Sequence, residues 1–198
     1  MSSQDDEDFI EIKAILVGGS GVGKTNLINV SVGNKFCPGS KTTSCCSMVQ
    51  KHLVINDNKF QINLWDTMGQ ESYKSISKLF FRDSKIVIFV YDITSYESFT
   101  GLEDWINLAN STISDDYISG IVGNKIDLFL ESKVPKEEAE NYAASKNMKF
   151  SLVSAKENPQ GFEDFLIELI KQYKIPERRK KTFLKKEKEN KNNCNCKK

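Results

Sequence analysis

Residues 18–25, GGSGVGKT, combine four glycines, a lysine and a terminal hydroxyl residue directly after the mostly apolar run 12–17. Glycine packs nothing into a core and costs backbone entropy, so this spacing indicates backbone that something must approach closely. The pattern G-x-x-x-x-G-K-[ST] between a strand and a helix is typical of a loop whose backbone N–H groups surround phosphate oxygens. The alternative is a glycine-rich turn that arises by chance, and the flanking strand and helix argue against it.

We expect this loop to hold the phosphates of a nucleoside triphosphate. The positively polarised start of the following helix faces the same anion. Lys24 supplies a full positive charge to the terminal phosphates, which makes it a candidate catalytic residue, and the Thr25 hydroxyl reaches a Mg²⁺ ion. The predicted phosphate-binding residues are Gly19, Ser20, Gly21, Val22, Gly23, Lys24, Thr25 and Asn26.

A second motif, Asn124-Lys125-Ile126-Asp127, follows an apolar segment and indicates which base is bound. Guanine presents an N1–H and an N2 amino group as neighbouring donors, and one Asp127 carboxylate accepts both, whereas adenine would leave it unpaired. We expect the Lys125 stem to lie along the base and the Asn124 amide to tie this loop to the phosphate loop. Alone, these four residues are a weak signal, because a polar turn could match them by chance. A further strand end, where a backbone N–H can meet guanine O6, carries Ser154, Ala155 and Lys156.

A third motif, LWDTMGQE at residues 64–71, supplies groups for the metal and for the terminal phosphate. Asp66 ends a predicted strand, and we expect its carboxylate to hold Mg²⁺ through a bound water. Gly69 can bring its backbone N–H against a γ-phosphate, and Gln70 can orient an attacking water as a second candidate catalytic residue. A plain strand-to-loop turn is the alternative.

Strands and helices that alternate along the chain must position these loops. Apolar and period-two patterns predict strands at 9–17, 47–55, 60–66, 85–91, 117–122 and 150–153, and helical periodicity predicts helices at 24–32, 97–110, 135–145 and 161–173. The letters NDNK between the second and third strands predict a hairpin. The sequence therefore predicts an α/β fold, a mostly parallel six-stranded sheet with one antiparallel hairpin strand and helices on both faces.

Length, composition and charge favour one domain with a tail. The 198 residues are 39% hydrophobic and 28% charged, which suffices for one sizeable core. No apolar run reaches the roughly 18 residues of a membrane span. The polar start predicts no signal peptide, and five cysteines without a C-x-x-C pair predict no disulfide framework.

The charge is distributed unevenly along the chain. Residues 176–198 carry ten Lys/Arg and three Glu (net +7), whereas residues 1–175 carry 18 Lys/Arg and 24 Asp/Glu (net −6). We predict a polar extension at 1–8, a nucleotide-binding domain at 9–175 and a disordered basic tail at 176–198.

The chain resembles the small GTPases of the Ras superfamily, and most closely the Rab family. The resemblance covers about residues 12–173 and rests on GGSGVGKT, LWDTMGQE, FVYDIT, GNKID and SAK. It implies GTP-bound and GDP-bound states, a Mg²⁺ cofactor, two switch loops and signalling in vesicle and membrane traffic. The implied partners are an exchange factor, a GTPase-activating protein and effectors, without a nucleic acid. Hydrolysis of GTP to GDP and phosphate is expected to be slow alone, because no arginine is evidently placed in cis.

The resemblance also assigns roles to residues outside the three motifs. By position, Phe36 resembles the aromatic residue that stacks on guanine, and Thr43 resembles the switch threonine that binds Mg²⁺ and senses the γ-phosphate. Thr42 is a competing choice, but counting back from the LWDT strand favours Thr43. The places where family effectors read an aromatic patch are held by Met48, Trp65 and Phe80, for which plain core packing is the alternative.

Several segments depart from the family pattern. SCCSM at residues 44–48 replaces the usual Ile-Gly-Val-Asp-Phe, Met68 replaces a small alanine, and LFFRDS at 79–84 stands where Tyr-Tyr-Arg-Gly is common. These departures keep open a degenerate GTPase that serves as a nucleotide-bound binding module. Other branches of the superfamily fit less well. A Rho-type protein would lengthen the interval 127–154, an Arf-type protein would carry glycine where Ser2 stands, and a Ran-type protein would have an acidic tail.

The tail ends in NCNCKK, so Cys194 and Cys196 form a C-x-C pair that two lysines follow. A C-terminal a-a-X box would need cysteine at the position of Asn195. The resemblance implies that the paired cysteines take geranylgeranyl chains, and two lipid chains beside a +7 segment give stable attachment to anionic membrane. We therefore expect a cytoplasmic protein attached peripherally to the cytosolic face of membranes. The alternative is a solvated Lys/Asn tail with incidental cysteines.

Overall fold

The computed structural model describes residues 9–38, 46–67 and 79–175. Its strands are β1 (Ile10–Val17), β2 (Ser47–Ile55), β3 (Asn58–Asp66), β4 (Ile86–Asp92), β5 (Ile118–Asn124) and β6 (Lys149–Leu152). Its α-helices are α1 (Lys24–Ser31), α2 (Tyr96–Thr100), α3 (Leu102–Thr112), α4 (Lys136–Ser145) and α5 (Pro159–Ile170), and a 3₁₀ helix covers Ile126–Glu131. The predicted alternation of strands and helices is confirmed.

Within the described residues the six strands form one sheet in the order β2-β3-β1-β4-β5-β6. β2 and β3 pair antiparallel, and the other neighbouring strands of this described sheet pair parallel. The predicted hairpin joins β2 to β3 through Asn56 and Asp57, whose φ angles of 49° and 61° are left-handed, a conformation that Asn and Asp tolerate in tight hairpin turns. The carboxyl ends of β1, β3, β4 and β5 therefore lie at the same edge of the sheet.

Helices cover both faces of the sheet and divide its core in two. The strand β4 is buried at every position, and its residues alternate between the two sides, with Ile88 on one and Phe89 on the other. One side, which we name the α1/α5 core, includes Leu27, Phe162, Phe165 and Leu166. The other side, the α3/α4 core, includes Trp105, Ile106, Ala139 and Ala143. A strand buried on both faces reads as a continuous apolar run, which is why the pattern predicted β4 as a central strand.

Two elements differ from the predictions. The predicted helix at 97–110 is two helices, α2 and α3, which meet at Gly101. Glycine is a poor former of helix interiors, and an amphipathic pattern does not register this break. The 3₁₀ helix was not predicted, because its six residues are too few to show a helical period. In the part of the chain that the structure describes, no helix combines the length and the apolar character needed to cross a bilayer.

Candidate functional site

The loop at residues 18–25 leaves the carboxyl end of β1 and requires glycine for two physical reasons. Gly18 and Gly23 have φ angles of 151° and 97°, which L side chains rarely adopt. A Cβ at Gly18 would also lie 2.0 Å from the Val90 carbonyl oxygen, and one at Gly23 would lie 2.3 Å from Asn124 Nδ2. The backbone is thus packed tightly against β4 and β5 on its inner side. A Cβ at Gly21 would meet nothing within 4 Å, so the loop is open on its other side, as a phosphate cradle requires.

Lys24 begins α1 and folds back over this loop. Its Nζ donates hydrogen bonds to the Gly18 carbonyl at 3.0 Å and the Gly19 carbonyl at 2.8 Å, and only 5% of the residue is exposed. Burial lowers the pKa of Lys24 to about 8, against the opposing attraction of the Asp66 carboxylate. Among the described residues no side chain caps the start of α1, and the positively polarised N-terminus of a helix favours an anion.

Thr25 and Asp66 bring two hard oxygen donors together beside Lys24. The Thr25 hydroxyl donates to Asp66 Oδ2 at 2.7 Å, and Asp66 ends β3 with 2% of its surface exposed. Mg²⁺ prefers such oxygens and is usually held by one or two protein groups together with phosphate oxygens. The described residues contain no group of three His, Cys, Asp or Glu side chains that could hold a metal alone. The donor set therefore fits a Mg²⁺ ion that is shared with a phosphate.

The Asn124 side chain joins three loops at the end of β5. Its Nδ2 donates to the Val22 carbonyl at 2.8 Å, and its Oδ1 accepts from the Ala155 N–H at 3.3 Å. The residue is 2% exposed. The structure thus places the motif at 124–127 and the segment at 154–156 beside the phosphate loop, although more than 100 residues separate Val22 from Asn124 along the chain.

Asp127 is held in place by the segment that follows β6. The Ser154 hydroxyl donates to Asp127 Oδ1 at 2.6 Å, and Lys156 Nζ lies 3.8 Å from Oδ2. Ser154 Oγ in turn accepts the N–H groups of Lys156 at 3.2 Å and Glu157 at 2.9 Å. Two acceptor oxygens of one carboxylate are thereby fixed in a defined plane, which suits two neighbouring donors on a planar base.

Lys125 forms an ion pair with Asp92, a site residue that the sequence analysis does not predict. Its backbone is left-handed with φ 66°, and its Nζ lies 2.5 Å from Asp92 Oδ2. Asp92 ends β4 and pairs in register with Asn124 of β5. A polar residue that directly follows a buried apolar run, at the ligand-binding edge of a parallel sheet, is the sequence signal that could have found it.

Asn26 of α1 holds the segment that follows this helix and contains Phe36. The Asn26 amide and the backbone of Cys37 exchange two hydrogen bonds of 3.2 Å, which fixes the chain after α1. Phe36 is partly buried against the α1/α5 core, and its stacking on a base stays a prediction. Thr43, Gly69 and Gln70 lie outside the described residues, as do Thr42, Met68 and the tail cysteines Cys194 and Cys196.

The three residues predicted as an effector patch lie close together. Met48 pairs in register with Trp65 across β2 and β3, and the ring centroids of Trp65 and Phe80 are 6.0 Å apart. Met48 is 44% exposed, so it is not a core residue, whereas Trp65 also packs against the α3/α4 core. The ammonium of Lys13 lies 4.8 Å from the centre of the Trp65 ring. Binding of a partner to this patch stays a prediction.

Comparison with known proteins connects this geometry with a family. The model of the Ras family matches residues 13–175. Human Ras-related protein Rab-30 is 36% identical over 156 residues, which are 79% of this chain and 76% of that protein. Human Ras-related protein Rab-21 is 38% identical over 159 residues, 80% of this chain and 70% of that protein. The family match spans the phosphate loop, Thr25, Asp66 and the base segments described above, and the two relatives favour Rab over the other branches considered. The chain thus belongs to the Rab family of Ras-superfamily GTPases, which bind GTP and GDP, hydrolyse GTP and generally act in vesicle traffic.

Proposed function

We propose that this chain is a Mg²⁺-dependent guanine-nucleotide switch in which different loops bind the phosphates and the base. The loop at 18–25 binds the phosphates, and the segments at 124–127 and 154–156 bind the base. The observation that carries the proposal is the Asn124 side chain, which bonds to both Val22 and Ala155. Phosphate and base recognition are thereby held at a fixed separation, as one nucleotide requires.

Guanine selection rests on Asp127. A carboxylate accepts hydrogen bonds and cannot donate them, so it matches the N1–H and N2 amino group of guanine. An adenine in the same place would leave a nearly buried carboxylate without partners, since only 7% of the Asp127 side chain is exposed, and such a mismatch rejects an analogue strongly. A backbone N–H of the segment at 154–156 is expected to meet guanine O6.

Phosphate binding and hydrolysis use Lys24, Thr25, Asp66 and two residues outside the described ranges. Lys24 brings a positive charge to the β- and γ-phosphates, and a neighbouring anion opposes the burial that lowers its pKa to about 8. Thr25 and Asp66, with Thr43, hold Mg²⁺, which when bound neutralises the phosphate charge that develops during hydrolysis. Gly69 contacts the γ-phosphate through its backbone N–H, and Gln70 orients the attacking water.

We expect partner proteins to regulate hydrolysis, because no arginine of the chain is evidently placed at the site. The chain has three arginines, and two of them, Arg178 and Arg179, belong to the tail. The third, Arg82, is largely exposed, and its Nε lies 3.8 Å from Asp83 Oδ2. A GTPase-activating protein that inserts an arginine is expected to accelerate hydrolysis about 10³- to 10⁵-fold. An exchange factor would reload GTP, and effectors would bind the patch of Met48, Trp65 and Phe80.

Membrane attachment completes the proposal. The tail at 176–198 begins directly after the described domain, carries a net charge of +7 and contains Cys194 and Cys196. Two isoprenoid chains anchor a protein stably where one gives marginal binding, and each basic residue near an anionic surface adds about 1 kcal/mol. The domain at 9–175 is thus held at the cytosolic face of a membrane.

Competition binding tests the nucleotide proposal. Full-length protein is loaded with fluorescent GDP in millimolar Mg²⁺ and challenged with unlabelled nucleotides. GTP and GDP are expected to displace the label at similar concentrations, while ATP does not. The Asp115→Asn variant, which changes an exposed aspartate beside Lys85, is the matched control for substitutions in the site. Displacement by ATP as effective as that by GTP would show that Asp127 does not select guanine.

A further inference from the structure

We propose that Asp92 is a positioning residue for the base of the nucleotide and acts through the ammonium group of Lys125. The inference rests on the proposed function and adds to it a residue that lies outside the three sequence motifs. Lys125 Nζ and Asp92 Oδ2 are 2.5 Å apart, a charge-assisted contact between the ends of two adjacent strands. Such contacts are roughly twice as strong as hydrogen bonds between neutral groups.

The Asp92 carboxylate is itself fixed before it meets Lys125. Its Oδ1 accepts hydrogen bonds from the Thr94 N–H at 2.9 Å and the Thr94 hydroxyl at 2.7 Å. The Asp92 backbone N–H donates to Ser98 Oγ at 3.0 Å, and the Ser98 hydroxyl is turned toward the Asp92 and Ser95 carbonyls. The residue is 7% exposed. Asp92 therefore offers its second oxygen in one direction only, toward the start of the base loop.

Lys125 needs an anchor because its side chain is long and only partly buried. It is a non-glycine residue in the left-handed region, and one third of its side chain is exposed. A lysine stem has several rotatable bonds, and fixing a side chain of that kind on binding weakens an interaction. With its ammonium held by Asp92, the stem is extended before a base arrives. The apolar methylene groups then form a fixed strip on which the base can lie.

The register of the sheet places the Asp92–Lys125 pair beside the proposed site for the nucleotide base. Asp92 and Asn124 are partners across β4 and β5, and Lys125 follows Asn124 directly. At the opposite end of β4, Lys85 precedes the strand and pairs with Asp115 at 3.0 Å. The same strand thus carries one aspartate–lysine pair beside the proposed base site and a second pair far from it, which serves as an internal control.

The expected consequence is a slower release of nucleotide. If anchoring removes the rotamer freedom of one lysine side chain, its loss should speed GDP release about three- to tenfold. If the pair merely tied β4 to β5, its loss would instead lower the melting temperature of the nucleotide-free protein. Release of GDP from the folded protein would then be unchanged. The two roles are therefore separable by kinetics.

The experiment measures release of fluorescent GDP and thermal melting of the stripped protein for the full chain and four variants: Asp92→Asn, Lys125→Met, their double variant and Asp115→Asn. Lys125→Met keeps an apolar stem and removes the ammonium. We expect faster release from both single variants, no further acceleration in the double variant and unchanged release from Asp115→Asn. The inference is overturned if Asp92→Asn releases GDP at the parent rate. It is also overturned if Asp92→Asn accelerates release by the same factor in the Lys125→Met background as in the parent.

Lys125 variants decide the question even where Asp92→Asn does not fold. Arginine keeps the positive charge and can pair with the Asp92 carboxylate, so Lys125→Arg should release GDP within about twofold of the parent while Lys125→Met does not. Equal release from the two variants would overturn the inference. A parent chain that does not take up the labelled GDP would overturn the proposed function itself. A parent that binds GDP while its Asp92 and Lys125 variants release it at the parent rate would overturn only the role of Asp92.

Discussion

The Ser154 hydroxyl lies 2.6 Å from Asp127 Oδ1 and donates a hydrogen bond to it. This contact joins the segment after β6 to the segment after β5 and fixes the plane of the Asp127 carboxylate. Only 7% of the Asp127 side chain is exposed, so the direction of its second oxygen is set by the fold rather than by solvent. The base-reading group is therefore in place before a ligand binds.

Asp127→Asn is expected to change which base the protein prefers. The amide oxygen can still accept the Ser154 hydroxyl, so the loop keeps its shape, but the amide NH₂ group now donates where guanine also donates. Two mismatched buried groups at roughly 1–3 kcal/mol each should weaken GTP binding by about thirtyfold or more. Xanthine, which carries an oxygen at the 2-position, should gain affinity.

Competition of GTP and XTP against labelled GDP or XDP measures this shift, with Asp115→Asn as the control for loss of an aspartate charge. A variant that keeps the GTP affinity of the parent and gains none for XTP would exclude Asp127 as the base reader.

Thr25→Asn is expected to favour GDP over GTP. The substitution removes the hydroxyl that lies 2.7 Å from Asp66 Oδ2 and places a larger side chain where Mg²⁺ tolerates little error in geometry. We expect the ratio of GTP to GDP affinity to fall about tenfold in millimolar Mg²⁺, in proportion to the loss of one charge-assisted contact of about 1.5 kcal/mol.

The affinities are measured with and without EDTA, and Thr100→Asn, at an exposed position of α2, serves as the control. Removal of Mg²⁺ should abolish the difference between Thr25→Asn and the parent. A ratio that is unchanged in Mg²⁺ would remove Thr25 from the metal site.

Gln70→Leu is expected to slow hydrolysis without weakening nucleotide binding. Leucine has a similar size but neither donates nor accepts hydrogen bonds, so it cannot orient a water. Single-turnover hydrolysis of bound GTP, alone and with a GTPase-activating protein, provides the measurement. Rates equal to those of the parent under both conditions would assign the water to another group.

Cys194→Ser combined with Cys196→Ser is expected to move the protein from the membrane fraction to the supernatant. Without lipid chains the basic tail alone retains only electrostatic attraction, which salt screens. Fractionation of cells that express each form tests this, and the intact mass of the parent from its own cells shows whether isoprenoid chains are attached. Unmodified cysteines and identical fractionation of parent and variant would contradict the anchor.

Much of the fold is predictable because its signals are local. The continuous apolar run of β4 reports burial on both faces, and Asn56-Asp57 marks the hairpin, since these residue types accept left-handed backbone. The phosphate loop is predictable because its residue types are restrictive: two positions admit only glycine, since a Cβ there would meet Val90 or Asn124.

What escapes the sequence depends on contacts between distant residues. The pairing of Asp92 with Lys125 becomes visible only when β4 and β5 lie side by side. The return of Lys24 onto Gly18 and Gly19 depends on the loop conformation rather than on residue types. The 3₁₀ helix after Lys125 has six residues, too few to leave a periodic pattern.

The nucleotide carried by the purified protein tests the central claim most directly. Full-length protein is purified in Mg²⁺ and denatured, and the released nucleotide is identified and quantified by chromatography beside the Asp127→Asn and Asp115→Asn variants. We predict close to one GDP or GTP per chain for the parent and for Asp115→Asn, and a clear loss for Asp127→Asn. An adenine nucleotide, or no nucleotide from a parent that also fails to take up added GDP, would contradict the assignment of the site to guanine.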